Sequence, residues 1–154
     1  MYLVAGDRSS ALVEAGISAT AGDVCRGLDR SGVAPDFIVI THPHGDHVAG
    51  LDVIRVRFPA IRVVAGEGAA AFLFHPRVAE AIVAEDRHMS SCLAAQGGPT
   101  GISPIGKAPS LDGATICRDG EEIDLGGVTL RFVAVGGHAP GNLAVFIPEE
   151  RTLL

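Results

Sequence analysis

The stretch "ITHPHGDHVAG", residues 40–50, sets three histidines and an aspartate within His42–His47, directly behind the apolar run "DFIVI" of residues 36–40. A continuous apolar run of that length reads as a strand buried on both faces. It delivers the chain into Thr41 and His42. His42 and His44 are two apart, so in extended backbone their side chains leave on the same side and can converge on one ion. Asp46 and His47 follow where the next helical pattern begins, and Asp is also a favoured N-cap there. A cap would account for Asp46 alone and leaves the histidines unexplained. Gly45, between the two pairs, reads as backbone freedom that lets them point in different directions, so that two adjacent metal positions arise. Catalytic zinc takes about three protein ligands, and this cluster nearly supplies them.

Upstream, residues 2–5 and 11–15 are short apolar runs around the turn-forming "GDRSS", which predicts a hairpin. "ATAGDVCRGLDRSG" spaces Val24, Cys25 and Leu28 as a helix that stops at Gly32. Downstream, "VAGLDVIRVRF" puts Val48, Leu51, Ile54 and Phe58 on one helical side, ended by Pro59. "IRVVAG" predicts a strand. "EGAAAFLF" and "PRVAEAIVAEDRHMSSCLAAQGG" predict two helices, the second with Pro76 near its start and Gly97-Gly98 as its stop. A Gly/Pro-rich loop over 97–113 precedes β-type segments punctuated by Asp119-Gly120 and Gly126-Gly127. "NLAVFIPEERTLL" reads as a strand, a turn and the start of another strand. There is neither internal repeat nor linker, so residues 1–154 read as a single domain. Helices and strands mixed early, then strands alone, predict sheets covered by helices rather than a simple alternating parallel sheet.

Composition narrows the function. The 154 residues are 47% apolar, enough for a core. Twelve basic against 18 acidic residues give a net charge of −6, which argues against a nucleic-acid partner. Arg55, Arg57 and Arg62 read as a solvated face. Cys25, Cys92 and Cys117 never form C-x-x-C and read as buried free thiols. The N-terminus has no basic n-region and no long apolar stretch, so a cytoplasmic protein without membrane partner is expected. His138, in "AVGGHAPGN" between β-type runs, is the one distant histidine flanked by glycines that let backbone approach a site. It reads as a further metal ligand. His75 and His88 read as ordinary surface or core histidines.

The motif "THPHGDHVAG" after a buried strand, "GGHAPG" at 136–141 and the hairpin "YLVAGDRSSALVEAG" together resemble the metallo-β-lactamase-fold superfamily over essentially the whole chain. The resemblance implies an α/β (α+β) fold, a four-layer αββα sandwich with metal ligands on loops at one edge of the sheets. It implies that His42, His44 and His138 hold a first metal and that Asp46 and His47 contribute to a second, with Zn2+ as the ion, one or two per chain, and Fe or Mn as alternatives. The chain departs from the pattern at Glu14, where the family has Asp, and at "VGGH", where it has "TPGH". The family continues from a strand like "RTLL" into a bridging Gly-Asp and a later histidine, whereas this sequence stops at Leu154. The expectation is therefore a fragment incomplete at its C-terminus, a chain complemented by another segment or copy, or one without the second metal. Ended there, it is expected to self-associate through an open sheet edge or to hydrolyse poorly alone.

The activity implied is hydrolysis. Zinc lowers the pKa of its water from about 16 to about 7, giving a hydroxide that attacks an ester, thioester, lactone or lactam carbonyl of a small-molecule substrate. Asp46 would orient that nucleophile and carry its proton. Two other readings remain: a mononuclear iron oxidoreductase of the persulfide dioxygenase type, and a non-catalytic metal-binding module. His44 favours the hydrolase, since flavodiiron members of the superfamily carry a carboxylate at that place.

Overall fold

The computed structural model describes residues 1–99 and 103–154. Its elements run β1 (Tyr2–Ala5), β2 (Ser10–Val13), α1 (Ser18–Ser31), β3 (Phe37–Ile40), α2 (Gly45–Val48), α3 (Leu51–Arg57), β4 (Arg62–Gly66), α4 (Ala69–Phe74) and α5 (Pro76–Ala95), then the strands β5 (Thr115–Cys117), β6 (Glu122–Asp124), β7 (Thr129–Ala134), β8 (Leu143–Ile147) and β9 (Thr152–Leu153). One sheet has the order β1-β2-β3-β4-β5, the other β6-β7-β8-β9.

The first sheet is parallel from β2 to β5, with only the β1–β2 hairpin antiparallel. That is more parallel than the segment order predicts, because β2, β3 and β4 are joined through α1 and through α2–α3, connections long enough to return the chain to the same end of the sheet. Period-two alternation divides its residues between two cores. Leu12, Ile38, Ile40, Val63 and Ala65 pack with Leu28, Leu51, Ile54 and Phe58 of the helical side. Ala11, Val13, Val39 and Val64 pack with Leu130, Phe132, Val145 and Ile147 of the second sheet. The described residues thus make a helix layer and two sheet layers, and Arg131 and Val133 stand exposed on the second sheet's outer face.

The single helix expected over 48–58 is broken into α2 and α3. The Gly50 N–H donates to the Gly16 carbonyl at 2.8 Å. A Cβ on Gly50 would lie 2.3 Å from the Ala15 carbonyl oxygen. Close packing on the loop after β2 therefore takes the chain out of the helical ladder. The cysteine reading also needs a correction: Cys25 and Cys117 are buried, but Cys92 is exposed. The buried residues of α5 are Ile82, Asp86 and Ser90, which turns Cys92 outward. Among the described residues, no helix is long and apolar enough to cross a membrane. Arg57 pairs with Asp29 at 2.5 Å and Arg62 lies over the Phe37 ring, so these arginines are committed to their own surface.

Candidate metal centre

The chain leaves β3 at Ile40, and Thr41 and His42 are buried at the end of that strand. The Leu143 N–H donates to the Thr41 carbonyl at 2.8 Å, which fastens the start of β8 to the motif. The β7–β8 loop then carries His138 over the same end of the sheets. Its approach depends on glycine: Gly137 has φ of 100°, and a Cβ on Gly66 would meet the Gly141 carbonyl oxygen at 2.2 Å. The close approach is that of Gly141 to β4, whereas a Cβ on Gly136 or Gly137 would meet nothing within 4 Å.

His42, His44 and His138 come together. His138 Nε2 lies 3.1 Å from His42 Nε2 and 3.1 Å from His44 Nδ1. A neutral ring nitrogen is either a donor or an acceptor, so His138 Nε2 cannot give both neighbours an ideal partner. A cation between the three lone pairs would satisfy them all. The donor set fits zinc, for which neutral imidazole is a preferred ligand.

The second pair is organised differently. His47 Nε2 faces Asp46 Oδ2 at 3.3 Å, while His47 Nδ1 lies 3.1 Å from Glu14 Oε2. The latter two atoms are buried and lack hydrogen-bond alignment, so each remains unpartnered. Glu14 also accepts the Thr41 hydroxyl, whose oxygen is 3.1 Å from His42 Nδ1. One carboxylate therefore stands behind both His47 and, through Thr41, His42. Glu14 sits in the left-handed region at φ of 77°, a strained place for a non-glycine residue. It is this backbone that turns its side chain towards the histidines. Glu14, His42 and His47 form a second group of metal-capable atoms overlapping the first.

Two readings of the turn change. Asp46 is not the N-cap of the following helix: α2 begins at Gly45, His44 occupies the cap position, and no side chain of the turn caps it. Gly45 is needed for space rather than for unusual backbone, because a Cβ there would lie 2.7 Å from Glu85 Oε2. Glu85 of α5 accepts the Gly45 N–H at 2.8 Å, and no feature of the sequence singled it out. Its neighbour Asp86 is fully buried and accepts from Ser18 N–H, Ser18 Oγ and Ile105 N–H at 2.9, 2.6 and 3.0 Å. Phe72 of α4 stands edge-on to His44 with ring centroids 6.5 Å apart. Beside the His138 loop is a cleft of about 540 Å³ whose walls include Glu67, Arg118, Val135, Pro140 and Asn142. His88 contacts Cys92 at 3.7 Å on the exposed side of α5, and exposed His75 lies between α4 and α5; neither belongs to the histidine clusters.

Burial, reinforced by the charges of His47, His44 and His138, lowers the His42 pKa from 6.5 to about 4. Burial also acts downward on His47, but Glu14 and then Asp46 outweigh it and the net shift is upward. His42 thus stays neutral and able to ligate across the neutral range. Between pH 6.5 and about 4 the unfolded chain binds the His42 proton more readily than the folded one, so stability is lost as pH falls through that window. The raised His47 acts oppositely and offsets part of the loss. Chemical denaturation of metal-free protein at about pH 7 and about pH 4.5 is expected to show lower stability at the acid end. Equal or greater stability there would contradict the burial of a neutral His42.

The three histidines thus form a group of metal-capable atoms at one end of two stacked sheets. Residues 1–154 match the family described as the metallo-beta-lactamase superfamily, and the chain belongs to it. It is similar to the hydroxyacylglutathione hydrolase of Acidiphilium cryptum (strain JF-5), at 28% identity over 142 residues, covering 92% of this chain and 42% of that protein. It is also similar to the hydroxyacylglutathione hydrolase of Methylococcus capsulatus, at 28% over 135 residues, covering 88% and 38%. A Cronobacter sakazakii metallo-beta-lactamase with the HARLDQ motif shares its fold, with a TM-score of 0.66 and 22% identity over 98% of this chain and 52% of that one. The subclass B3 metallo-beta-lactamase of Bradyrhizobium japonicum gives 0.64 and 22% over 95% and 49%. At that identity the likeness concerns the fold alone. The chain spans less than half the length of these two hydrolases and about half that of the solved lactamases.

Proposed function

We propose that this chain forms the metal centre of a hydrolase that cleaves an acyl bond, a thioester before an ester, lactone or lactam. The observation that carries the reading is the convergence of three imidazole nitrogens from two distant segments at 3.1 Å spacing. The preference for a thioester comes from the hydroxyacylglutathione hydrolases, whose named substrate is an acylated thiol. His42, His44 and His138 would hold the first metal, and Asp46 Oδ2 with His47 Nε2 would serve a second. Zinc bound there lowers the pKa of its water to about 7 and polarises an acyl oxygen.

The chain's own residues set the rest. Glu14 Oε2 faces His47 Nδ1 at 3.1 Å as a charge neighbour, while His47 Nε2 is turned towards Asp46. Asp46 is exposed, and its other carboxylate oxygen, Oδ1, takes the proton of the attacking water. Phe72 gives an apolar wall beside His44. Zinc-loaded protein is expected to cleave an S-acylated glutathione, slowly where residues 1–154 stand alone, to lose that activity to a chelator and to regain it with zinc. Cleavage of none of the four acyl classes by zinc-loaded protein would overturn the reading. Metal analysis of protein purified without added metal is expected to find zinc, whereas iron would favour the oxidoreductase.

A further inference from the structure

We infer that Glu85 is a positioning residue for the metal-binding turn, acting from α5 as the cap that α2 lacks. The inference rests on reading that turn as the metal centre. α2 spans only Gly45–Val48, far too short to hold itself together in isolation. Its first N–H groups have no intrahelical partner, and the cap position is occupied by His44, whose Nδ1 is turned to His138 instead. The Glu85 carboxylate takes the Gly45 N–H at 2.8 Å. A negative group at a helix N-terminus is favourable to the backbone dipoles as well as to the hydrogen bond.

The contact is built closely. A Cβ on Gly45 would fall 2.7 Å from Glu85 Oε2 and 3.2 Å from its Cγ, so glycine is the residue that admits the carboxylate. Glu85 is also held from behind, since Asp86 ties α5 to the start of α1 and to Ile105 by three hydrogen bonds. The direction of α2 fixes where Asp46 and His47 point. Glu85 therefore sets the second pair of metal-capable atoms against the first without touching either.

The test uses Co2+ as the probe and three variants: Glu85→Ala, Glu85→Gln and Gly45→Ala. Loss of an outer contact to a ligand segment typically weakens metal binding by about 10–100-fold. Glu85→Ala is expected to fall in that range and to change the visible spectrum of the bound Co2+. Glu85→Gln keeps an oxygen acceptor and is expected to restore most of the affinity and the spectrum. Gly45→Ala displaces the carboxylate from the other side, so combining it with Glu85→Ala should add little to either alone. Should Glu85→Ala fail to fold, the Gln and Gly45→Ala variants still read the same contact. Amide exchange at Gly45 in metal-free protein gives an independent reading, protected in the wild type and fast in Glu85→Ala. Wild-type affinity in Glu85→Ala, equal losses in Ala and Gln, or an unprotected Gly45 amide in the wild type would each overturn the inference. A wild type that binds no Co2+ but protects Gly45 would instead overturn the metal centre and leave the cap standing.

Discussion

His138→Ala is expected to weaken zinc binding by more than about 100-fold, beyond the range typical of losing an outer-shell partner. His138 Nε2 is the shared neighbour of the other two ring nitrogens, 3.1 Å from each, and it is the one proposed first-site ligand supplied from outside the 42–47 turn. Without it, His42 and His44 leave a two-ligand site. The loop is held to the motif by the Leu143–Thr41 hydrogen bond and by the close Gly66–Gly141 packing, which fixes His138 over the other two rings. His138 is exposed, so its truncation removes little buried contact and the metal-free protein should melt as the wild type does. A zinc titration against a competing chelator measures the first effect and thermal unfolding the second. Unchanged affinity would remove His138 from the site.

The parts of the molecule that were legible are those in which local pattern and tertiary demand agree. "DFIVI" is a strand because its apolar residues meet a core on each side, Ile38 and Ile40 towards the helices and Val39 towards the second sheet. Gly32 ends α1 in the left-handed conformation that glycine favours there. The convergence of His42, His44 and His138 was legible because so many imidazoles on one turn, with a further one between glycines, have little other use. What the pattern could not carry was contact between segments far apart in sequence. Helical periodicity ran straight through Ala49 and Gly50, while hydrogen bonds to the loop after β2 broke the helix there. Gly45 looked like a backbone requirement, yet the demand on it comes from Glu85. Glu14 looked like a departure from the family's Asp, yet its longer side chain still reaches both His47 and Thr41. None of these pairings leaves a periodic trace, since each joins a loop or turn to a single side chain elsewhere.

Asp46→Asn is expected to separate turnover from retention of the first metal. Asp46 lies outside the group of His42, His44 and His138, and its side chain is 50% exposed. Asparagine preserves its size and keeps an oxygen acceptor, so α2 should hold its course and the three imidazoles their spacing. What is lost is the basic carboxylate, whose Oδ2 is 3.3 Å from His47 Nε2, and with it the group proposed to take the proton of the attacking water. General acid–base groups contribute about 10²–10⁴-fold to rate, and kcat for a thioester substrate is expected to fall within that range. Zinc bound at the first site should remain near one equivalent by metal analysis, while a second equivalent, where the protein binds one, should weaken because an amide oxygen is a poorer ligand than a carboxylate. A matched fall in kcat and in first-site zinc would make Asp46 part of the first site. Wild-type kcat would end its role in proton transfer.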